Sequence, residues 1–573
     1  MKSTAIKRMP QWLWDQGVRH AVLCPGSRSA PLTLAIARSE FMEIFTGVDE
    51  RAAGFAALGL SLGSGRPVVV VCTSGTALLN LGPAVAEAYY LRLPLLILSA
   101  DRPAGYEGQQ RGQVIRQDGA LDHHLRASFR WAPDETEWDL RRSENLFEQA
   151  LKTAVKECGP VHINIPLDEP LYDLVVPDHA AGLNGSSGGI KIEPEIATQY
   201  GSVPQELQVA IHQALAQGKR IWFLAGMDST HEVLEPVLTE LEGLEQVCLW
   251  REDLANLKVG LPLRDEWFRT APIDPPALLI SWGGPLLSKH FQLFLRNNPR
   301  FKHWRIDPRG DEIDTYNRLD GVWQSSPKFA LEAIRNIVQN KRQEIPTNSI
   351  AASSDTNSKN AVLDFDRIMR DRYHQLPFSD SLALSVTLPF LKNKRVHLGN
   401  SSLVRKFLAL PWDKGSIKSI HCNRGTSGIE GSISTGIGHA WAQPEDSVWV
   451  LNGDLATAYD AGAWLLEPRP SIKILLLNNG GGDIFRQLPG ASKQPECELL
   501  FATPRNMNWS AWCQGYGLPH RVATDLNSLE AGLNWLNDHA GAAVLEIQTN
   551  PTCNRQAEHL LRSPEEPPLK TSS

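Results

Sequence analysis

The sequence predicts an α/β protein of three domains, each with a parallel sheet flanked by helices. Two observations support this fold class. Short apolar runs such as SVWVL and IKILLL lack polar alternation, which is typical of parallel strands buried on both faces, and each ends at Gly, Asn and Asp residues. The first and last parts of the chain also repeat a similar order of strands and helices. We therefore expect two doubly wound domains around a middle one.

Two changes in composition divide the chain. Residues 178–189 are rich in Gly and Ser, and residues 343–360 are polar and nearly free of aromatics, so we expect both to be surface linkers. Apolar and amphipathic segments between them indicate a separate α/β layer. The predicted domains are residues 1–180, 190–342 and 361–562, followed by a disordered tail at 563–573.

Composition narrows the classes of function. The chain has 573 residues, 42% hydrophobic and 21% charged, which is ordinary for a globular protein, and its net charge of −7 argues against a general nucleic-acid surface. No apolar run approaches the ~18 residues that span a bilayer, and the first residues lack the apolar core of a signal peptide. We expect a cytoplasmic protein without membrane insertion. Its eight cysteines form no CxxC motif and are expected to be reduced, mostly buried thiols.

Two dipeptides at strand ends carry the clearest chemical signal. Gly453-Asp454 closes one apolar run, and Asn478-Asn479 closes the next, with Asn479 25 residues after Asp454. Ligands of parallel sheets bind beyond such carboxyl ends. A carboxylate oxygen, an amide oxygen and a backbone carbonyl near Gly481 suit Mg²⁺, with phosphate oxygens completing its coordination. Either dipeptide alone would more often be an ordinary βα turn.

The pair resembles the GDG-to-NN signature of thiamine-diphosphate (ThDP) enzymes, with Leu455 where the signature usually has its second Gly. That resemblance implies pyrimidine-binding, central and diphosphate-binding domains, with ThDP and Mg²⁺, or Mn²⁺, as cofactors. It assigns the metal to Asp454, Asn479 and Gly481. The residues expected at ThDP are Glu50, Ser74, Gly75, Ile429, Gly453, Asp454, Leu455 and Asn479.

Glu50 is the candidate catalytic residue, because the cofactor's aminopyrimidine requires a carboxylate beside its ring nitrogen. The segment around it reads as strand, loop and helix, and a second strand, glycine-rich loop and helix follows in the order of a pyrimidine-binding domain. The alternative is a glutamate favoured at a helix N-terminus by the macrodipole, worth about 0.3–1 kcal/mol.

Arginines near small residues indicate an anionic substrate. Arg28 lies in CPGSRS, a loop before a helix where anions are attracted, and we expect Arg405 and Arg424 to lie in loops rich in Gly, Ser and Asn. Any one of them alone would more often be a surface residue. With the ThDP motifs, these loops resemble the 2-succinyl-5-enolpyruvyl-6-hydroxy-3-cyclohexene-1-carboxylate synthase family. The substrate-binding residues implied are Ser27, Arg28, Arg102, Gln113, Arg116, Ser401, Arg405, Arg424, Ile484, Phe485 and Leu488.

This resemblance implies decarboxylation of 2-oxoglutarate and 1,4-addition of the resulting carbanion to isochorismate, in menaquinone or phylloquinone biosynthesis. It also implies a homodimer or homotetramer, because the glutamate and the diphosphate site facing one cofactor come from different subunits. Two departures from the family are Gly112, where Asn is frequent, and His290, where a second basic residue is common. The alternatives are another ThDP carboligase or 2-oxoacid decarboxylase, such as an acetohydroxyacid synthase, and a non-enzymatic scaffold.

Overall fold

The structure is a computed structural model that describes residues 4–133, 137–173, 201–227, 233–270, 273–344 and 355–562. Within these ranges the strands form three sheets with helices on their faces, and the predicted α/β class is confirmed. The linker predicted at 178–189 and the tail at 563–573 lie outside the described residues. Residues 355–360, which were expected in the second linker, begin a helix instead.

The N-terminal sheet is built from short strands of β-branched and other apolar residues. Val68–Cys72, for example, is VVVVC and is buried throughout, as expected of a strand covered on both faces. The elements of this region are strands β1 His20–Leu23, β2 Glu43–Gly47, β3 Val68–Cys72, β4 Leu95–Asp101, β5 Ala127–Arg130 and β6 Val161–Pro166, and helices α1 Thr4–Asp15, α2 Ala30–Ala37, α3 Glu50–Ser64, α4 Thr76–Asn80, α5 Gly82–Leu91 and α6 Glu137–Lys156.

The middle sheet has a core rich in aromatic residues. The rings of Trp222 and Trp250 on adjacent strands lie 5.4 Å apart. The elements of this region are strands β7 Ile221–Ala225, β8 Val247–Arg251, β9 Leu261–Pro262, β10 Leu278–Trp282, β11 Lys302–Asp307 and β12 Leu319–Gln324, and helices α7 Gln205–Ala216, α8 Glu235–Glu242, α9 Asp265–Thr270, α10 Lys289–Asn297 and α11 Pro327–Glu344.

The C-terminal sheet contains both strands that end at the predicted metal ligands. The elements of this region are strands β13 Arg395–Leu398, β14 Ser419–Cys422, β15 Val448–Gly453, β16 Leu466–Glu467, β17 Ile472–Asn478, β18 His520–Ala523 and β19 Ala543–Gln548, and helices α12 Asp355–Tyr373, α13 Asp380–Thr387, α14 Ser402–Leu408, α15 Ser432–Ala442, α16 Asp454–Tyr459, α17 Asp483–Gln487, α18 Trp509–Gly515, α19 Leu526–Asp538 and α20 Pro551–Arg562.

The first and third sheets have the same strand order. The N-terminal order is β2-β1-β3-β4-β6-β5, and the C-terminal order is β14-β13-β15-β17-β19-β18, with parallel pairing in both. The short strand β16 crosses over and pairs antiparallel with β2. In each sheet the order reverses beside its first strand, between β1 and β3 or between β13 and β15. Ligands of doubly wound sheets bind at this reversal, at the carboxyl ends of the strands.

Helices α3 and α15 join these two regions through glycine. A Cβ atom on Gly59 would stand 2.0 Å from the Thr435 carbonyl oxygen, and one on Gly438 would stand 1.8 Å from the Ala56 carbonyl oxygen. The two helix backbones therefore touch, which any larger residue at either glycine would prevent. This contact fixes α3, which begins at Glu50, against the helix that follows the Ile429 loop.

The cysteines agree with the prediction of reduced thiols, since all eight are free and most are buried. Within the described ranges, none of the helices combines the length and the apolar character needed to cross a membrane.

Candidate active site

The first group of predicted residues lies at the carboxyl edge of the N-terminal sheet, where β1 and β3 end side by side. The loop after β1 carries Ser27 and Arg28, and the loop after β3 carries Ser74. These loops touch, because a Cβ atom on Gly26 would stand 2.3 Å from the Cβ of Thr73. The predicted loops therefore meet at the reversal point of this sheet.

Glu50 is the first residue of α3 at this same edge. Asp49 is the N-cap, and its Oδ1 accepts a hydrogen bond from the Arg51 N–H at 2.9 Å, so Asp49 rather than Glu50 satisfies the helix end. Burial raises the pKa of the Cys24 and Cys72 thiols, and the nearby negative charge of Glu50 raises both further. The Glu50 carboxylate is half-buried and makes no hydrogen bond or ion pair with any described residue. It is free to bind a ligand.

The loop after β3 is held by a residue that the sequence analysis missed. Gly75 adopts a φ of +84°, and its N–H donates to Oε1 of Gln117 at 2.7 Å. Gln117 is fully buried, and its Nε2 donates to Oδ1 of Asn164 at 2.9 Å. The backbone of Gln113 packs against Gly75, whereas Arg116 is exposed. Gln117 thus positions the loop that Gln113 covers.

Arg28 and Arg102 lie close together at this edge. Arg28 is buried; its Nη1 donates to the Leu167 carbonyl at 3.0 Å and its Nη2 to Oε1 of Glu169 at 3.3 Å. Burial lowers the pKa of Arg28, and the positive charge of Arg102 lowers it further. The Nε atoms of both arginines are buried without a hydrogen-bond partner among the described residues. Both retain donors for an anionic ligand.

The second group lies at the carboxyl edge of the C-terminal sheet, where β15 and β17 pair. Asp454 begins α16; its Oδ1 accepts from the Leu455 N–H at 2.8 Å, and its Oδ2 accepts from the Gly481 N–H at 2.7 Å. Burial raises the pKa of Asp454 to about 6, while these two N–H groups act in the opposite direction. Gly481 has a φ of +114°, and a Cβ there would stand 2.3 Å from the Ala502 carbonyl oxygen. Only glycine fits this position.

Asn479 presents a buried oxygen beside Asp454. The Asn479 side chain is buried, and its Nδ2 donates to Oδ2 of Asp380 at 2.8 Å. Its Oδ1 has no hydrogen-bond partner among the described residues, and such an unpaired buried group costs about 1–3 kcal/mol. Arg486 fixes the loop by donating to the Gly480 carbonyl at 2.8 Å. The Asn479 oxygen is therefore held in place without a protein ligand.

The donor set fits a hard divalent cation. Across the described ranges, no cluster of three His, Cys, Asp or Glu side chains could hold a metal on its own. A carboxylate, an amide oxygen and a backbone carbonyl would still leave coordination positions open for diphosphate oxygens, which is the arrangement Mg²⁺ prefers. The orphaned Asn479 oxygen meets this requirement, since a cation would satisfy it.

The loop between β14 and α15, which carries Arg424, is held from two sides. Glu87 of α5, only 1% exposed, accepts from the N–H groups of Gly425 at 2.8 Å and Thr426 at 2.7 Å. Asn400, which follows β13, accepts from Nη1 of Arg424 at 3.0 Å. The N-terminal region and the C-terminal sheet therefore position Arg424 jointly. The sequence analysis missed both Glu87 and Asn400.

Arg405 was expected in a loop, and this expectation was wrong. Residues Ser402–Leu408 form α14, because their apolar side chains recur at helical spacing directly after a turn at Ser401, where φ is +73°. Arg405 is exposed on this helix, and its Nη1 donates to the Ser401 carbonyl. Partial desolvation and the positive charge of Arg424 lower the pKa of Arg405, while Asp265 of the middle region opposes them. The two guanidinium groups therefore lie near each other.

Apolar side chains border the second group. Ile429, Ile484 and Phe485 are half-buried, and Leu488 is exposed. The rings of Phe485 and Phe501 lie 5.8 Å apart. Ile484 and Phe485 lie on helix α17, which has only five residues.

The structure thus collects the predicted residues at two matching sheet edges. The edge with Glu50 carries Ser27, Arg28, Ser74, Gly75, Arg102, Gln113 and Arg116, and the other edge carries the predicted residues around Asp454 and Arg424. Among the described residues, no hydrogen bond or ion pair joins Glu50 to Asp454.

Comparisons with known proteins identify the family of the chain. Residues 4–122 match the family model described as "Thiamine pyrophosphate enzyme, N-terminal TPP binding domain". Proteins named 2-succinyl-5-enolpyruvyl-6-hydroxy-3-cyclohexene-1-carboxylate synthase are similar over nearly their whole length. The one from Desulfotalea psychrophila is 36% identical, covering 94% of this chain and 96% of the relative. The one from Cytophaga hutchinsonii is 33% identical, covering 96% and 97%. The chain belongs to the 2-succinyl-5-enolpyruvyl-6-hydroxy-3-cyclohexene-1-carboxylate synthase family of ThDP enzymes.

Proposed function

We propose that this protein catalyses the reaction of its family, the joining of 2-oxoglutarate and isochorismate with loss of CO₂. The product is 2-succinyl-5-enolpyruvyl-6-hydroxy-3-cyclohexene-1-carboxylate, an intermediate of menaquinone or phylloquinone biosynthesis. When bound, ThDP supplies the carbanion chemistry that no side chain provides. The observation that carries the proposal is the unpaired, buried Asn479 oxygen beside Asp454, at the edge where a chain of this family needs its metal.

Asp454, Asn479 and the Gly481 carbonyl hold Mg²⁺, or Mn²⁺, in this proposal. The burial of Asp454 and Asn479 supports it, because a bound cation would satisfy oxygens that otherwise lie in an unfavourable environment. Gly453 and Leu455 flank the same carboxylate and line the diphosphate. We assign diphosphate binding to the predicted domain 361–562.

Glu50 would hydrogen-bond the aminopyrimidine of bound ThDP and hold it in its activated protonation state. This role is supported by two observations: the Glu50 carboxylate has no partner in the described chain, and it does not cap its helix. Ser74 and Gly75 would line the same ring, and Ile429 would supply an apolar contact to the cofactor. We assign pyrimidine binding to the predicted domain 1–180.

The arginines bind the carboxylates of the substrates. 2-Oxoglutarate is a dianion and isochorismate carries two carboxylates, so several guanidinium groups are needed. The nearness of Arg405 to Arg424 and of Arg28 to Arg102 supports two such subsites, since each pair concentrates positive charge. Ser27, Gln113, Arg116 and Ser401 complete these subsites as polar neighbours.

Ile484, Phe485 and Leu488 form an apolar wall that excludes water from the reacting centre. Exclusion of water prevents premature protonation of the group to be transferred. The partial exposure of these three side chains supports this role, because an apolar ligand or a partner subunit would bury them.

A homodimer, or a homotetramer built from it, completes the site. Apolar side chains remain exposed beside Glu50: Val48 is 62%, Tyr459 47% and Leu465 44% accessible. Arg51 and the strand pair β2 and β16 hold these residues in one surface, since Nη2 of Arg51 donates to the Tyr459 carbonyl at 2.7 Å. Clustered exposed apolar residues of this kind are typical of protein interfaces.

The test is a reconstitution with ThDP, Mg²⁺, 2-oxoglutarate and isochorismate, in which CO₂ release and the adduct of the two substrates are measured. We expect stoichiometric formation of both. Replacing 2-oxoglutarate by pyruvate should abolish product formation. Preference for pyruvate would favour an acetohydroxyacid-type enzyme, and absence of any turnover would favour a scaffold that retains only the fold.

A further inference from the structure

A buried polar network lies directly behind the proposed metal site. Asp380, the first residue of α13, is 1% exposed, and its Oδ2 accepts from both Nζ of Lys406 at 2.8 Å and Nδ2 of Asn479 at 2.8 Å. The other oxygen of Asp380 accepts from the Thr549 hydroxyl at 2.6 Å. Lys406 also donates to Oδ2 of Asp483 at 3.0 Å. The sequence analysis singled out none of the residues of this network behind Asn479.

This network decides which end of the Asn479 amide faces the site. A side-chain amide has one donor end and one acceptor end, and a carboxylate that receives donors on both oxygens can only accept. The donor end of Asn479 must therefore face Asp380. Its acceptor end then faces the opposite way, where Oδ1 is buried and has no partner among the described residues.

We propose that Asp380 is a positioning residue that holds the amide of Asn479 with its oxygen toward the metal, and that Lys406 keeps the Asp380 carboxylate in place. The proposal rests on the metal site stated above and explains how that site is preorganised. Without the acceptor at Asp380, the amide could turn and present its NH₂ group, which is not a ligand for Mg²⁺. The link between α13 and α14 through Lys406 would keep the amide from rotating.

The test measures ThDP binding by calorimetry at a series of Mg²⁺ concentrations, so that it does not depend on turnover. Asp380→Ala should raise the Mg²⁺ concentration needed for half-maximal binding by about 10- to 100-fold, the usual cost of losing a group that orients a metal ligand. Asp380→Asn should largely retain binding, because Lys406 only donates and would draw the Asn oxygen to the same position.

Thr549→Val is the matched control, because it removes one hydrogen bond from the same carboxylate without touching Asn479. It should leave the Mg²⁺ requirement within about twofold of wild type, even if the melting temperature falls. If Asp380→Ala does not fold, the pair Asp380→Leu/Lys406→Met replaces it, since an apolar pair of similar volume keeps the net charge of the network unchanged.

A double-mutant cycle separates this inference from the proposed function. If Asp380 acts through Asn479, adding Asp380→Ala to Asn479→Ala should weaken Mg²⁺-dependent binding no further. Additive losses, or equal losses in Asp380→Asn and Asp380→Ala, would overturn the positioning role. An Asn479→Ala variant with unchanged Mg²⁺ dependence would instead overturn the metal site itself.

Discussion

The two sheet edges that carry the site have the same strand order but present their functional groups differently. At the N-terminal edge, Glu50 is half-buried and has no partner within the described chain, and Arg28 and Arg102 retain unpaired donors. At the C-terminal edge, Asp454 and Asn479 are buried, and each is fixed by a hydrogen bond, Asp454 from the Gly481 N–H and Asn479 to Asp380. One fold thus supplies an open edge and a preorganised one.

Under the proposed function, this difference follows from what each edge would hold. A metal and a diphosphate carry concentrated charge, so oxygen ligands are best fixed in advance by buried partners. A pyrimidine ring and organic carboxylates bring their own hydrogen-bonding groups, so the side chains that bind them need unpaired donors or acceptors. We expect changes at the open edge to alter catalysis and substrate choice, and changes of the buried oxygen groups Asp454 and Asn479 at the preorganised edge to alter cofactor binding.

The largest expected effect is at the open edge. Glu50→Gln should lower kcat by at least about 100-fold with saturating ThDP, because the amide is nearly isosteric but cannot hold the pyrimidine in its activated state. ThDP binding, measured by calorimetry, should change little. Glu43→Gln, an exposed glutamate on β2, is the control. Near wild-type turnover of Glu50→Gln would reject the catalytic role.

At the preorganised edge, Asp454→Ala should weaken ThDP binding by about 100-fold at limiting Mg²⁺, because a charged ligand is lost. Asn479→Ala should weaken it by about 10-fold, since the lost ligand is neutral. Calorimetry at low and saturating Mg²⁺ measures both, with the exposed Asn537→Ala as the control. Unchanged affinity in both variants would remove the metal assignment.

Single arginine variants distinguish the substrate subsites, with Arg28 at the open edge and Arg405 and Arg424 at the preorganised edge. Arg28→Ala, Arg405→Ala and Arg424→Ala should each lower kcat/KM by about ten- to a hundredfold, because one charge-assisted hydrogen bond is worth roughly 1.5–3 kcal/mol. An arginine that binds isochorismate should spare CO₂ release from 2-oxoglutarate, whereas one that binds 2-oxoglutarate should slow it. Stopped-flow absorbance with and without isochorismate distinguishes the two, with Arg367→Ala as an exposed control. Normal handling of both substrates by all three variants would contradict the synthase account.

The smallest expected effect concerns Glu252, which directly follows β8. Like Asp454, it is a buried carboxyl group, but we assign it no ligand, so it shows what burial alone does to a carboxyl group. Its Oε1 accepts from the Ser288 N–H at 3.1 Å, and burial raises its pKa to about 7. Because the folded pKa lies above the unfolded one, its contribution to stability is present at low pH and is lost as pH rises to about 7.

Glu252→Gln cannot ionise and should escape this loss. Its melting temperature relative to wild type should therefore be higher at pH 8 than at pH 5, by roughly 2–4 °C. Scanning calorimetry at both pH values measures the difference. An equal difference at the two values would show that the Glu252 carboxyl does not titrate in this range.

The sequence predicted the ends of strands better than the partners behind them. Local signals at strand ends, turns and helix starts made it possible to recognise Asp454, Asn479 and Glu50 from the sequence. The sequence could not reveal Asp380, Lys406, Gln117 and Glu87, because their roles depend on contacts between elements far apart in the chain, such as Glu87 with Thr426. One signal was present: Glu87 is the only charged residue in the otherwise apolar helix α5.

Arg405 shows the opposite failure, in which local signals in the sequence led to a wrong prediction. Its Gly, Ser and Asn neighbours suggested a loop, but the apolar residues after Ser401 complete a helix as soon as the turn is made. Turn residues indicate that the chain turns, but they do not indicate how many residues of loop follow before the next helix or strand begins.

The most direct test of the account asks whether the two edges from different copies form one site. Subunits carrying Glu50→Gln and subunits carrying Asp454→Ala are co-expressed with different tags, and the mixed dimer is purified and assayed. At Mg²⁺ and ThDP concentrations that just saturate wild type, each variant alone should have little activity, because Glu50→Gln is slow and the Asp454→Ala site stays largely unloaded. Sites shared between copies would leave one intact site in each mixed dimer, so about half of wild-type activity per dimer should return. A mixed dimer as inactive as its parents at these concentrations would contradict the account.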